Sequence, residues 1–126
     1  MPEQELRQEN QTAVTISDSM DLSFLYFRYD RKMVKVMLND IQYIESLKDY
    51  VRINTTKGPV ITKYAITSLE AVLPSLSFIR VHRSYLVSLD KIDSYTQDEI
   101  SIANIIMPIG KMYRMQVLGI LTQSNS

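Results

Sequence analysis

Tyr50-Val51-Arg52-Ile53-Asn54-Thr55-Thr56-Lys57-Gly58-Pro59-Val60-Ile61-Thr62-Lys63-Tyr64 is the stretch that decides the fold class. Val51 and Ile53 alternate with polar neighbours, and a period of two puts successive side chains on opposite faces of an extended chain. The stretch therefore reads as two half-buried strands, Tyr50–Thr55 and Val60–Tyr64, joined by a turn at Lys57-Gly58-Pro59. The same alternation, rich in β-branched and aromatic residues, runs outward from Leu22 to about Asn104. It predicts further strands near Ser23–Tyr29, Lys32–Met37, Ile41–Ser46, Ile92–Tyr95, Ile100–Ala103 and Ile105–Pro108, with turns at Tyr29-Asp30-Arg31 and Gln97-Asp98.

Two segments depart from the strand period. Thr67-Ser68-Leu69-Glu70 has the spacing of a capping box, in which two side chains satisfy orphan N–H groups at a helix start, so a short helix is expected near 68–73, stopped by Pro74. After Gly110, Met115, Leu118 and Leu121 recur at helical spacing. A C-terminal helix to about Leu121 follows, with Lys111 and Arg114 on one face of its first turn. Cations there oppose the helix dipole, which hints at an approaching phosphate.

The 126 residues and 14.6 kDa suit one domain, and 45% hydrophobic with 22% charged residues is ordinary globular usage. No apolar run approaches the roughly 18 residues of a membrane span, and the polar N-terminus lacks a signal-peptide core, so the expected location is cytoplasmic, with no membrane partner. The absence of Cys excludes disulfides, thiolate nucleophiles and Cys-ligated zinc, and the single His82 excludes a His pair. The zero net charge hides two unlike segments. Residues 1–21 carry one base against five acids and read as an acidic linker or disordered arm, whereas residues 22–126 carry 13 bases against nine acids, or +4. The expected organisation is an arm over 1–21, a domain over 22–121 and a disordered tail over 122–126.

No Gly-rich phosphate loop, Ser elbow or His-Glu-x-x-His helix occurs, so no enzyme, metal or cofactor is expected. Asp98-Glu99 reads as a solvated turn. The stretch Phe78-Ile79-Arg80-Val81-His82-Arg83-Ser84-Tyr85-Leu86-Val87 alternates up to Val81, then places three polar residues in a row, the mark of a bend. A lone His at a bend is more often held by a local hydrogen bond than functional. Arg83 is either a solvated charge or a reader, since a planar fork suits guanine edges and phosphates alike. Polar residues also cluster at Glu45-Ser46-Leu47-Lys48-Asp49-Tyr50-Val51-Arg52, which a hairpin tip alone would explain.

In order along the chain, Ile41-Gln42-Tyr43-Ile44-Glu45, Asp49-Tyr50-Val51-Arg52-Ile53, Ser68-Leu69-Glu70 with Leu73-Pro74, the Phe78–Val87 stretch, Leu89-Asp90-Lys91-Ile92 and Met107-Pro108-Ile109-Gly110-Lys111-Met112-Tyr113-Arg114 resemble the LytTR-type DNA-binding domain. The likeness covers about Leu22 to Leu121. It implies a mostly β fold of about ten strands in small antiparallel sheets with little helix. It also implies an output domain of a bacterial two-component response regulator, or a stand-alone transcriptional regulator, that binds DNA sequence-specifically by inserting loops into grooves. Matching positions are Lys48, Asp49 and Tyr50; His82, Arg83 and Ser84; and Lys111, Tyr113 and Arg114. By position Arg83 contacts a base and His82 holds the loop and reaches a phosphate. Lys111 and Gly110 stand where the family commonly has Arg and Ser, which favours phosphate contact at Lys111. The implied partners are double-stranded DNA with paired repeats occupied by two copies as a dimer, an upstream receiver domain and a sensor kinase. The alternative class is a β-rich protein-interaction module without nucleic acid, consistent with eight Tyr.

Overall fold

The computed structural model describes residues 23–124, so the acidic arm expected over 1–21 lies outside the described residues. These fall into two compact units, one reaching to Ile41 and one beginning at Gln42. In the first, strands β1 (Phe24–Tyr29) and β2 (Lys32–Met37) form an antiparallel hairpin, followed by a 3-10 turn at Leu38–Asp40. Leu25 and Phe27 are buried while Tyr26 and Arg28 are not, as alternation requires. Asp30 and Arg31 at its tip both have positive φ, 54° and 66°. This is the backbone twist that lets a two-residue turn match right-twisted strands.

The second unit contains β3 (Ile41–Leu47, from Gln42 on), β4 (Tyr50–Thr55), β5 (Gly58–Thr62), α1 (Ile66–Val72), β6 (Phe78–His82), β7 (Tyr85–Ser88), β8 (Ser94–Tyr95), β9 (Glu99–Ile102), β10 (Ile105–Pro108) and α2 (Arg114–Ser124). Five strands form one sheet in the order β5-β4-β3-β7-β6, and three form another in the order β10-β9-β8. With β1 and β2, the described residues hold ten strands in three small antiparallel sheets with two helices, as expected for a mostly β fold. Pro59 lies in β5, an edge strand, where its missing N–H is tolerated.

A core between β6, β7, the three-stranded sheet and α2 gathers Ile79, Val81, Val87, Ile100, Ile102, Met107, Ile109, Val117 and Leu121. Tyr113 and Ile120 pack against it, so the inward stripe of α2 runs through Val117, Ile120 and Leu121. Met115, expected on that stripe, is 88% exposed. The difference arises because the helix begins at Arg114 rather than after Gly110. Tyr113 N–H donates to Gly110 O and Arg114 N–H to Lys111 O, so residues 111–113 form a tight turn, and Lys111 and Arg114 do not share a helical turn.

Two other expectations are corrected. The Thr67–Glu70 capping box does not form: α1 starts two residues earlier with Ala65 as cap, no side-chain cap bond is made, and Glu70 pairs with Arg80 instead. Of the disordered tail expected over 122–126, residues 122–124 are instead helical, since α2 continues to Ser124. There Thr122 Oγ1 donates back to the Leu118 and Gly119 carbonyls, the i−4 and i−3 acceptors within reach of a helical threonine. Residues 125 and 126 lie outside the described residues. If this core carries the stability, Ile100→Ala should lower the unfolding free energy in urea by about 2–5 kcal/mol. Ile106→Ala, at a site 65% exposed on the neighbouring strand, should change it by no more than about 0.5 kcal/mol.

Candidate nucleic-acid interface

Strand pairing brings the three singled-out regions to one end of the five-stranded sheet. β3 and β7 pair through Tyr43↔Val87, Ile44↔Leu86 and Glu45↔Tyr85, and Ser46 N–H donates to Ser84 O at 2.9 Å. The β3–β4 tip, Lys48-Asp49, and the β6–β7 tip, Arg83-Ser84, therefore project from the same end. The third region joins them where Gly110 N–H donates to Val81 O at 2.8 Å. A Cβ at Gly110 would stand 3.1 Å from the Tyr113 ring and 3.5 Å from the His82 ring, so the absent side chain allows this close approach.

Lys48, Asp49 and Tyr50 are exposed, with Lys48 held at φ 57° by the two-residue turn. Across the base of that hairpin Arg52 pairs with Glu45 at 3.3 Å. At the second tip Arg83 is exposed and His82 and Ser84 are half-buried. Ser84 N–H donates to His82 Nδ1 at 3.0 Å, so His82 is the locally satisfied bend residue, with its ring proton on Nε2. Partial burial, then the neighbouring Arg83 and Arg80 charges, push its pKa below 6.5. In the third region Lys111 is exposed and Tyr113 is half-buried. Arg114 is engaged in an ion pair: its Nη2 lies 2.8 Å from Asp98 Oδ1, and its Nε is buried without a hydrogen-bond partner among the described residues. The acidic turn is solvated as expected, with Asp98 and Glu99 exposed, and Asp98 also gives Arg114 at the start of α2 an ion-pair partner.

Sequence reasoning passed over Arg80. Its side chain, 10% exposed, sends Nε to His82 O at 2.9 Å, Nη2 to Arg83 O at 2.6 Å and Nη1 to Glu70 Oε1 at 2.7 Å, with the Tyr113 ring centroid 6.0 Å from its guanidinium carbon. Its spacing gave no signal, since Arg80 stands at the polar phase between Ile79 and Val81, where a charge ordinarily faces water; once buried it must find acceptors. Arg52, Arg80 and Arg114 all have carboxylate partners, whereas no ion pair holds Lys48, Arg83 or Lys111 among the described residues. That leaves three cations at one end of the sheet for an anionic partner.

Neutral His82 is the form that accepts the Ser84 N–H, so the unfolded chain binds more protons than the folded one below pH 6.5. Its contribution to stability is complete above that value and lost as the pH falls through the lower folded value. The unfolding free energy should decline from about pH 6.5 toward pH 5 in the native chain. That part of the decline should be absent in His82→Asn, and the single imidazole should titrate by NMR below 6.5.

A match to the LytTr DNA-binding domain covers residues 31–114. The sensory transduction protein LytT of Bacillus cereus is 26% identical over 109 residues, 82% of this chain and 44% of that protein. The protein of the same name from Bacillus anthracis is 28% identical over 98 residues, 73% of this chain and 40% of that protein. The chain thus spans less than half the length of these curated relatives. The LytTr DNA-binding domain of a methyl-accepting/DNA response regulator from Bacillus cereus superposes with a TM-score of 0.68 at 23% identity, covering 78% of this chain and 95% of that one, and so shares the fold. With two thirds of its length inside the family match, the chain belongs to the LytTr DNA-binding domain family.

Proposed function

We propose that this domain binds double-stranded DNA sequence-specifically, by inserting the Lys48-Asp49 and Arg83-Ser84 tips and the Lys111 turn into or across its grooves. The carrying observation is that three exposed cations without carboxylate partners project from one end of a sheet whose other arginines are all paired where their partners are described. Arg83 reads a base edge, since its fork matches the two acceptors of guanine, while Lys48 and Lys111, as point donors, contact phosphates. Asp49 repels phosphate and suits the amino group of cytosine. His82 and Tyr113 support the tips from behind, and Arg114 is a structural anchor rather than a contact. The domain would act as the transcription-regulating output module of a two-component system in the cytoplasm, joined to a receiver domain that answers a sensor kinase. The sensory transduction relatives and their greater length support this. Three cations per copy neutralise few phosphates, so two copies on paired repeats would supply the affinity.

On a duplex selected from a random pool, Arg83→Ala should cost about 1–3 kcal/mol and relax preference at one base pair. Lys111→Ala should weaken binding to selected and random duplexes alike and lower the salt slope by about one. Equal losses on both duplexes for Arg83→Ala would remove its reading role.

A further inference from the structure

We infer that Arg80 is a positioning residue for DNA reading: anchored by Glu70, its guanidinium holds the β6–β7 tip in the one conformation that presents Arg83 to a base. This rests on the proposal that the tip contacts DNA. Tips 30–31, 48–49 and 103–104 each contain residues at positive φ, whereas neither Arg83 nor Ser84 does. Turns without positive φ splay a two-residue hairpin, and here the pairing slips between Arg80 and His82, with Val81 as the extra residue. Such a tip has little intrinsic preference for its own shape.

External bonds must supply that shape, and Arg80 makes two of them on successive carbonyls, those of His82 and Arg83. In a trans peptide the C=O and N–H point in opposite directions. With the His82 carbonyl turned into the guanidinium, the Arg83 N–H faces away from it, and the Arg83 side chain is left exposed. Arg80 itself is badly placed to read a base, because three of its five N–H donors, one on each nitrogen, are already committed and its side chain is only 10% exposed. Glu70 neutralises it, so its charge adds little to the field that attracts DNA. Lysine could not reproduce the fork, since an ammonium is a point donor. A tip ordered before binding loses less entropy on docking, which strengthens the specific complex over the random one.

The test uses the full chain with Arg80→Lys and Arg83→Ala, singly and together, titrated against selected and random duplexes over a salt series. Arg80→Lys should lower the preference for the selected duplex roughly tenfold, leave random-duplex affinity and salt slope unchanged, and add nothing once Arg83 is Ala. Retained preference, or an equal loss on both duplexes with a shallower slope, would overturn the positioning role. Should Arg80→Lys lose cooperative unfolding, Glu70→Gln replaces it: a partial loss of preference supports the role, and full preference sinks it. If Arg83→Ala binds like the native chain, the reading role itself has failed. Arg80 is then decided in the free protein by the Arg83 and Ser84 amide resonances, which move in Arg80→Lys only if the fork holds the tip.

Discussion

Antiparallel register between β3 and β7 is the constraint on which the candidate interface depends. Because side chains alternate with a period of two, slipping this pairing by one residue would turn Ile44 and Leu86, both buried, to the opposite face. Burial therefore locks the register, and the register in turn decides that the Lys48 and Arg83 tips lie at the same end. The cationic end of the sheet is thus a consequence of core packing rather than of attraction among its charges, which repel one another.

Arginines at that end divide by their surroundings. Arg52, Arg80 and Arg114 meet Glu45, Glu70 and Asp98 and brace the framework, while Arg83 extends from a tip and pairs with no carboxylate among the described residues. An exposed ion pair contributes little to stability on its own, so the Arg52 and Arg114 pairs matter more for orientation than for energy. Arg80 differs because its guanidinium is largely removed from water and takes up the His82 and Arg83 carbonyls at the tip. His82 complements it from the other side, accepting the Ser84 N–H through an imidazole that burial keeps neutral.

The third region joins by close backbone approach. Gly110 lets the chain leave β10 and pass against His82, and Tyr113 closes over the same place before Val117 and Leu121 anchor α2 in the core. A Cβ at position 110 would crowd the Tyr113 ring while making ordinary contact with His82, so a serine there would need the Tyr113 ring to give slightly.

Strand period, turn residues and the ordered motif series determined by themselves that this is a mostly β domain, where eight of its ten described strands lie within a few residues, and which three segments carry candidate contacts; β6 and β7 were legible only as an alternating stretch broken by a bend. Those features are local, because alternation, turn chemistry and spacing act over a few neighbouring residues. Only the tertiary structure decided which cations are free. Glu70 lies ten residues from Arg80 and Asp98 sixteen from Arg114, so neither pairing has a signature in spacing. The same distance effect explains the capping box: Thr67-x-x-Glu70 has the right local pattern, but Glu70 found a largely buried guanidinium, a stronger partner than an exposed backbone N–H. The start of α2 was likewise settled by where Val117 and Leu121 meet the core, since the periodicity of 111–121 fits more than one inward face.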